Sequence, residues 1–144
     1  MATYDNLPVY KQTYDLLLQL FRVCQNMERD YKFTLGENLK KEIITLIINV
    51  YRANCRENKE KLPLLQSGRE NVEVVRLLLR LLQDLKQIGL KEFVLANEKL
   101  ESVSKQMAAW ANSVSKPQAA PEINKGFNGG QSLEGLFAFQ ESAG

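Results

Sequence analysis

Residues 69–88 read RENVEVVRLLLRLLQDLKQI, and the placing of their apolar members decides the fold. At about 100° per residue, Val72, Val74, Val75, Leu77, Leu78, Leu79, Leu81, Leu82, Leu85 and Ile88 cover more than half the circumference of a helix. Ser67-Gly68-Arg69-Glu70 has the form of a capping box, where hydroxyl and carboxylate satisfy reciprocal backbone donors, so the spacing predicts a start at Ser67. Gly89 is the expected stop. On the N-terminal side lies a polar connection containing Pro63, and before it a second helix with the same breadth. That helix opens on another capping box, Thr34-Leu35-Gly36-Glu37, and runs to about Glu57 through Leu39, Ile43, Ile44, Leu46, Ile47, Ile48, Val50, Tyr51 and Cys55. The first helix is expected from about Pro8 to Met27, capped by Asn6, with Tyr10, Tyr14, Leu17, Phe21 and Cys24 at helical steps. On the C-terminal side, Phe93, Ala96, Leu100, Val103, Met107, Trp110 and Val114 alternate three- and four-residue steps from Leu90 to Ser115, the pattern of a bundle seam. Short connections between four such segments predict an all-α, antiparallel up-down-up-down four-helix bundle over residues 1–116.

The composition changes after that point. Residues 117–144 hold five of the eight glycines and two of the four prolines, which predicts a mostly disordered C-terminal tail. Its end, SLEGLFAF, is more apolar than an inert linker needs. Residues 1–116 carry 18 basic and 14 acidic side chains, a net +4, and the tail sets Lys125 against Glu122, Glu134 and Glu141.

The chain of 144 residues has no histidine, which excludes Ser-His-Asp and Cys-His catalysis and histidine-ligated zinc or haem. Cys24 and Cys55 match no ligand spacing and are expected to be reduced core thiols. There is neither a clustered acidic pair nor a glycine-rich phosphate loop. Glu98 and Glu101 stand three apart, but Lys99 and Lys105 beside them make a solvated face the better account. No catalytic activity, cofactor or metal is therefore expected. No apolar run reaches membrane-spanning length, and MATYDNLPVY lacks the features of a signal peptide, so the expected location is cytoplasmic.

Two features bear on partners. A helix in a small monomeric bundle needs an apolar arc of only about 100° or somewhat more, so the breadth of the second and third helices predicts a homo-oligomer. Their remaining polar strips are basic: Lys41, Arg52 and Arg56 on the second, Arg69, Arg76 and Arg80 on the third. Two readings stand open. Either the arginines pair with carboxylates, Arg76 with Glu73 and Arg80 with Asp84, or the strips form one positive surface for phosphate or an acidic protein.

The runs KFTLGENLKKEIITLIINVYRANC, VEVVRLLLRLLQDLKQIGLKEF and SKQMAAWANS resemble the accessory variability determinant (Avd) proteins of diversity-generating retroelements, relatives of proteins encoded in ribosomal RNA intervening sequences. The resemblance covers roughly residues 8–115. It rests on the Phe33–Glu37 entry, the Arg76 and Arg80 doublet and Trp110. It implies a non-enzymatic four-helix bundle that assembles into a pentameric ring or barrel. Such a barrel binds the element's reverse transcriptase and template RNA, or DNA, in support of mutagenic copying. The family's basic positions map onto Arg76 and Arg80, and onto Lys40, Lys41, Arg52 and Arg56. The chain departs from the family in its modest positive charge and in the SKQMAAWANS approach to Trp110. The alternative function is a helical protein–protein adaptor that touches no nucleic acid.

Overall fold

The computed structural model describes residues 7–116; Asn6 and the 117–144 tail lie outside the described residues. Four long helices, α1 (Pro8–Gln25), α3 (Leu35–Cys55), α4 (Asn58–Asp84) and α5 (Leu90–Ser115), are joined by short connections, one of which contains the single-turn α2 (Arg29–Lys32). Helix α1 packs on α3 and α5, α3 on α4, and α4 on α5, which closes the cycle. Direction follows from the paired side chains. Along α3 and α4, Ala53 meets Lys61 and Glu42 meets Asn71, so one number falls as the other rises. The same holds for Gln12 with Gln106 and Gln19 with Glu92 between α1 and α5. Every neighbouring pair is thus antiparallel, as short connections require.

The core is continuous from end to end. Leu16 and Leu20 of α1, Leu39, Ile43, Leu46 and Val50 of α3, Leu65, Val75, Leu79 and Leu82 of α4, and Leu100, Val103 and Met107 of α5 are fully buried. Two polar devices fix how the helices meet. Buried Asn49 donates to Asn71 at 2.9 Å, and Asn71 donates to Glu42 at 2.8 Å, a chain that ties α3 to α4 at one register. One turn further on, at the C-terminal end of α3, Lys61 donates to the Ala53 carbonyl at 2.7 Å, satisfying a terminal acceptor of α3, while its ammonium stands 5.8 Å from the centre of the Trp110 ring.

The boundaries correct four sequence expectations. Helix α4 starts at Asn58 rather than Ser67, and Pro63 lies inside it. Pro63 is exposed, so the carbonyl it leaves without a donor is near water, while Leu65 behind it is buried. Core burial overrides the proline. Thr34 makes no side-chain cap; its hydroxyl donates back to the Asp30 carbonyl at 2.7 Å, and Glu37 turns to Lys40 at 3.0 Å. Helix α4 ends before Gly89. Lys86 adopts φ 61°, and the Gln87 and Lys86 amides donate to the Leu82 and Gln83 carbonyls at 2.8 and 3.0 Å, the Schellman arrangement with lysine in the left-handed position. Gly89 instead precedes α5 at φ −71°. Finally, Cys24 is buried but Cys55 is exposed.

Two expected outcomes follow. Lys86→Gly removes the left-handed strain and raises stability by about 1 kcal/mol, read from the urea midpoint; an unchanged or lower midpoint contradicts that geometry. Burial pushes the Cys24 thiol above its ordinary range, ahead of the opposing pull of Lys40. An alkylating reagent at neutral pH should therefore label Cys55 in the native protein and Cys24 only after unfolding, as peptide mass spectrometry will report.

Candidate partner-binding surfaces

Arg76 and Arg80 lie one helical turn apart on the side of α4 that faces α5, yet their environments differ. Arg76 is half-buried, with Nη1 at 2.7 Å from Glu101 Oε2 and Nε at 3.3 Å from Glu73 Oε1. Burial disfavours its charge, but the bonds to Glu73 and Glu101 outweigh that and raise its pKa above the ordinary guanidinium value. The pairing of Arg76 with Glu73 read from the sequence is present, and Glu101 adds a partner that the spacing within one helix cannot reveal. Arg80 is exposed, and among the described residues no carboxylate holds it, including the expected Asp84.

Both arginines line an open groove of about 940 Å³ between α4 and α5, together with Leu77, Phe93, Val94 and Lys105. Glu73, Glu98 and Glu101 balance Arg76, Arg80 and Lys105 there, so the groove is apolar along its walls and close to neutral. Arg69 is half-buried two turns before Arg76 on the same stripe of α4.

The basic residues of α3 are elsewhere. Lys40 is held by Glu37 at 3.0 Å and stands 5.5 Å from the Phe21 ring. Lys40 and Lys41 line a second groove with Phe21, Ile44 and Thr45, on the side where α1 packs. In the cyclic order of the bundle that side is opposite the α4–α5 groove, so these lysines and the α4 arginines do not share one surface. Arg52 and Arg56 are exposed near the C-terminal end of α3, where α4 begins. One continuous positive face is thus replaced by separate basic sites, because the neighbours of α3 and α4 divide their polar strips.

The apolar breadth of the sequence leaves exposed surface in three clusters, besides Phe33 and Leu95. Tyr14 and Leu18 of α1 join Ile44, Ile48 and Tyr51 of α3 on the α1–α3 side. Val74, Leu81 and Leu85 run along α4 on the side of Asn71, which reaches α3. Leu77 and Val94 line the α4–α5 groove, and Leu90, one turn before Val94 on α5, is exposed as well. The part of α1 was missed at the sequence level: Tyr10 and Tyr14, stacked with centroids 6.3 Å apart, read there as core positions, but Tyr14 is exposed. A step-by-four pattern marks a helix face without saying whether a second helix or water covers it.

No helix among the described residues is long and apolar enough to cross a membrane. No group of three Cys, Asp or Glu residues able to hold a metal converges among them. No curated protein matches the chain. A family model described as bAvd-like matches residues 7–114, which takes in all five helices but for the last residue of α5, and the chain with its closed antiparallel bundle belongs to this bAvd-like family.

Proposed function

We propose that the protein is the non-catalytic accessory subunit of a diversity-generating retroelement, a homo-oligomeric ring that brings the element's reverse transcriptase and its template RNA together. The family match supports the retroelement role. The observation that carries the binding site is Arg80: an exposed guanidinium, without a carboxylate partner among the described residues, at the edge of an apolar groove. A free guanidinium meets a phosphate or a polymerase carboxylate without first breaking an internal bond. Arg69, Lys41, Arg52 and Arg56 supply further cations, and repetition around a ring multiplies weak contacts through high effective concentration.

The test is binding of purified reverse transcriptase and of structured RNA by the full chain and its variants across a salt series. Arg80→Ala is expected to weaken binding by about tenfold or more with helicity and mass unchanged. Arg76→Ala is expected to lower stability as well, since it leaves Glu73 and Glu101 facing each other across the helix contact. Arg80→Ala binding like wild type removes Arg80 from the site. The near-neutral, apolar-walled groove favours a second reading, a protein-docking adaptor with no nucleic-acid contact. Weak salt dependence selects that reading, because phosphate binding releases counterions and falls steeply as salt rises.

A further inference from the structure

The positive charge of the bundle is concentrated at its ends rather than along its sides. Helix α3 stops at Cys55 and α4 starts at Asn58, and antiparallel packing brings the C-terminal end of α5 to the same end of the molecule. Arg52, Arg56, Lys59, Lys61 and Lys116 stand there with Glu57 and Glu60, five cations against two carboxylates. Lys11, near the start of α1, is held by Asp15 at 3.6 Å and adds no net charge. At the opposite end, residues 22–41 and 84–92 set seven cations against five carboxylates. The α4–α5 groove between the two ends is balanced. The excess is therefore greatest, and least interrupted, where α3 hands over to α4.

Among the described residues no carboxylate holds any of these five cations. Arg52, Arg56, Lys59 and Lys116 are exposed. Lys61 is fixed in place by its 2.7 Å bond to the Ala53 carbonyl and by the Trp110 ring. The Arg56 amide donates to that same carbonyl at 3.4 Å, which brings Arg56 and Lys61 together. The helix dipoles do not account for so many cations. The C-terminus of α3 carries about half a negative charge and the N-terminus of α4 about half a positive one, so the adjoining ends largely offset each other. Lys61 alone already satisfies an α3 carbonyl. The four exposed cations are left to repel one another, and a polyanion relieves that repulsion.

We infer that this end of the bundle holds the phosphate backbone of RNA, with Arg52, Arg56 and Lys59 as its contacts and Lys61 as the fixed cation beside them. The inference rests on the RNA-binding reading above and deepens it by placing the backbone. The near-neutral groove beside Arg80 then supplies only a minor share of the electrostatic binding. Contacts of this kind position a strand without reading its sequence.

The test is fluorescence anisotropy of labelled poly(U), which offers phosphates with little structure of its own, titrated with the full chain across a salt series. Each phosphate contact to a single strand contributes about 0.7 to the slope of log affinity against log salt. The triple variant Arg52→Ala, Arg56→Ala, Lys59→Ala is expected to reduce that slope by about 2 and to weaken binding by about tenfold or more. All three side chains are exposed, so helicity and solution mass are retained. Arg80→Ala is expected to reduce the slope by about 1 or less. The double variant Arg52→Lys, Arg56→Lys keeps the wild-type slope, since charge carries the contact. A triple variant that binds poly(U) with the wild-type slope overturns the inference while the RNA-binding reading stands. A triple variant that loses reverse transcriptase with its RNA slope unchanged also overturns it and assigns this end to an acidic protein surface. A wild-type chain with no affinity for poly(U) at low salt overturns it too, and its binding to structured RNA then decides the broader reading separately.

Discussion

A full-length Ile48→Asp variant is expected to abolish the proposed multi-subunit assembly and to run at or near the 16.4 kDa monomer. Ile48 is 39% exposed and lies on the α1–α3 side with Ile44, Tyr51, Tyr14 and Leu18. As a free surface these side chains present on the order of 400 Å² of apolar area, the size of the largest patch on a typical monomer, which is often an interaction site. An aspartate at that place stays hydrated in an isolated bundle, so helicity and melting should hardly change. Inside a subunit contact the same carboxylate loses its water without a partner, which costs several kcal/mol at each interface.

The same argument separates a ring from a twofold dimer. Closing a ring requires two different faces that fit each other, whereas a twofold contact pairs one face with itself. The exposed α4 strip of Val74, Leu81 and Leu85 is the candidate for the second face of the proposed ring. Leu81→Asp is therefore expected to break the particle as well. Mixing the two variants should yield a heterodimer, because an intact α4 strip from one meets an intact α1–α3 side from the other and growth stops there. If Leu81→Asp assembles like wild type while Ile48→Asp does not, the α4 strip is not the second face, and the contact is either twofold or uses the α4–α5 patch of Leu77 and Val94. If neither changes the solution mass, these faces are not the interface. Light scattering coupled to size-exclusion chromatography reads each outcome.

How much of this was legible beforehand varies with the physics involved. The four long helices follow from periodicity, and periodicity survives because each helix has one buried stripe, as in Leu39, Ile43, Leu46 and Val50. The start of α4 did not follow, since Pro63 and the Ser67–Glu70 pattern are local signals and the burial of Leu65 and Gly68 is not. Lys86 in a left-handed conformation is invisible for the same reason, because glycine three residues later offers the more favourable stop. At the candidate site, the Arg76–Glu73 pair was readable within one helix, but Glu101 enters from α5, and only the packing of α4 on α5 brings it to 2.7 Å. That α3 and α4 direct their basic strips to different sides was likewise hidden, because a helical wheel has no fixed azimuth until its neighbours are placed.

Gly68 sits where α4 packs tightly on α5, and Gly68→Val is expected to destabilise the protein by about 3 kcal/mol. Gly68 is buried within α4, and a Cβ built there would lie 2.5 Å from the terminal methyl of Met107 on α5 and 3.5 Å from Leu46 Cδ1 on α3. Gly68→Ala is a mild change. Alanine favours the helix by roughly 1 kcal/mol over glycine, and the Met107 terminal methyl can rotate away, so the two effects nearly cancel. Valine adds two further methyls on a stiff χ1, and Leu46 and Met107 are already fully buried with no solvent to move into. Helices α4 and α5 must then separate. Separation pulls Glu101 from Arg76 and opens the groove beside Arg80, so Gly68→Val is also expected to weaken partner binding in the molecules that remain folded. Met107→Ala by itself leaves a cavity and costs about 2–5 kcal/mol. Combined with Gly68→Val it supplies the missing room, so the double variant should be more stable than the sum of the two losses by one to a few kcal/mol, a coupling typical of side chains in contact. Additive losses in urea denaturation would mean that Gly68 and Met107 do not meet, and that something other than this contact sets the spacing of α4 and α5.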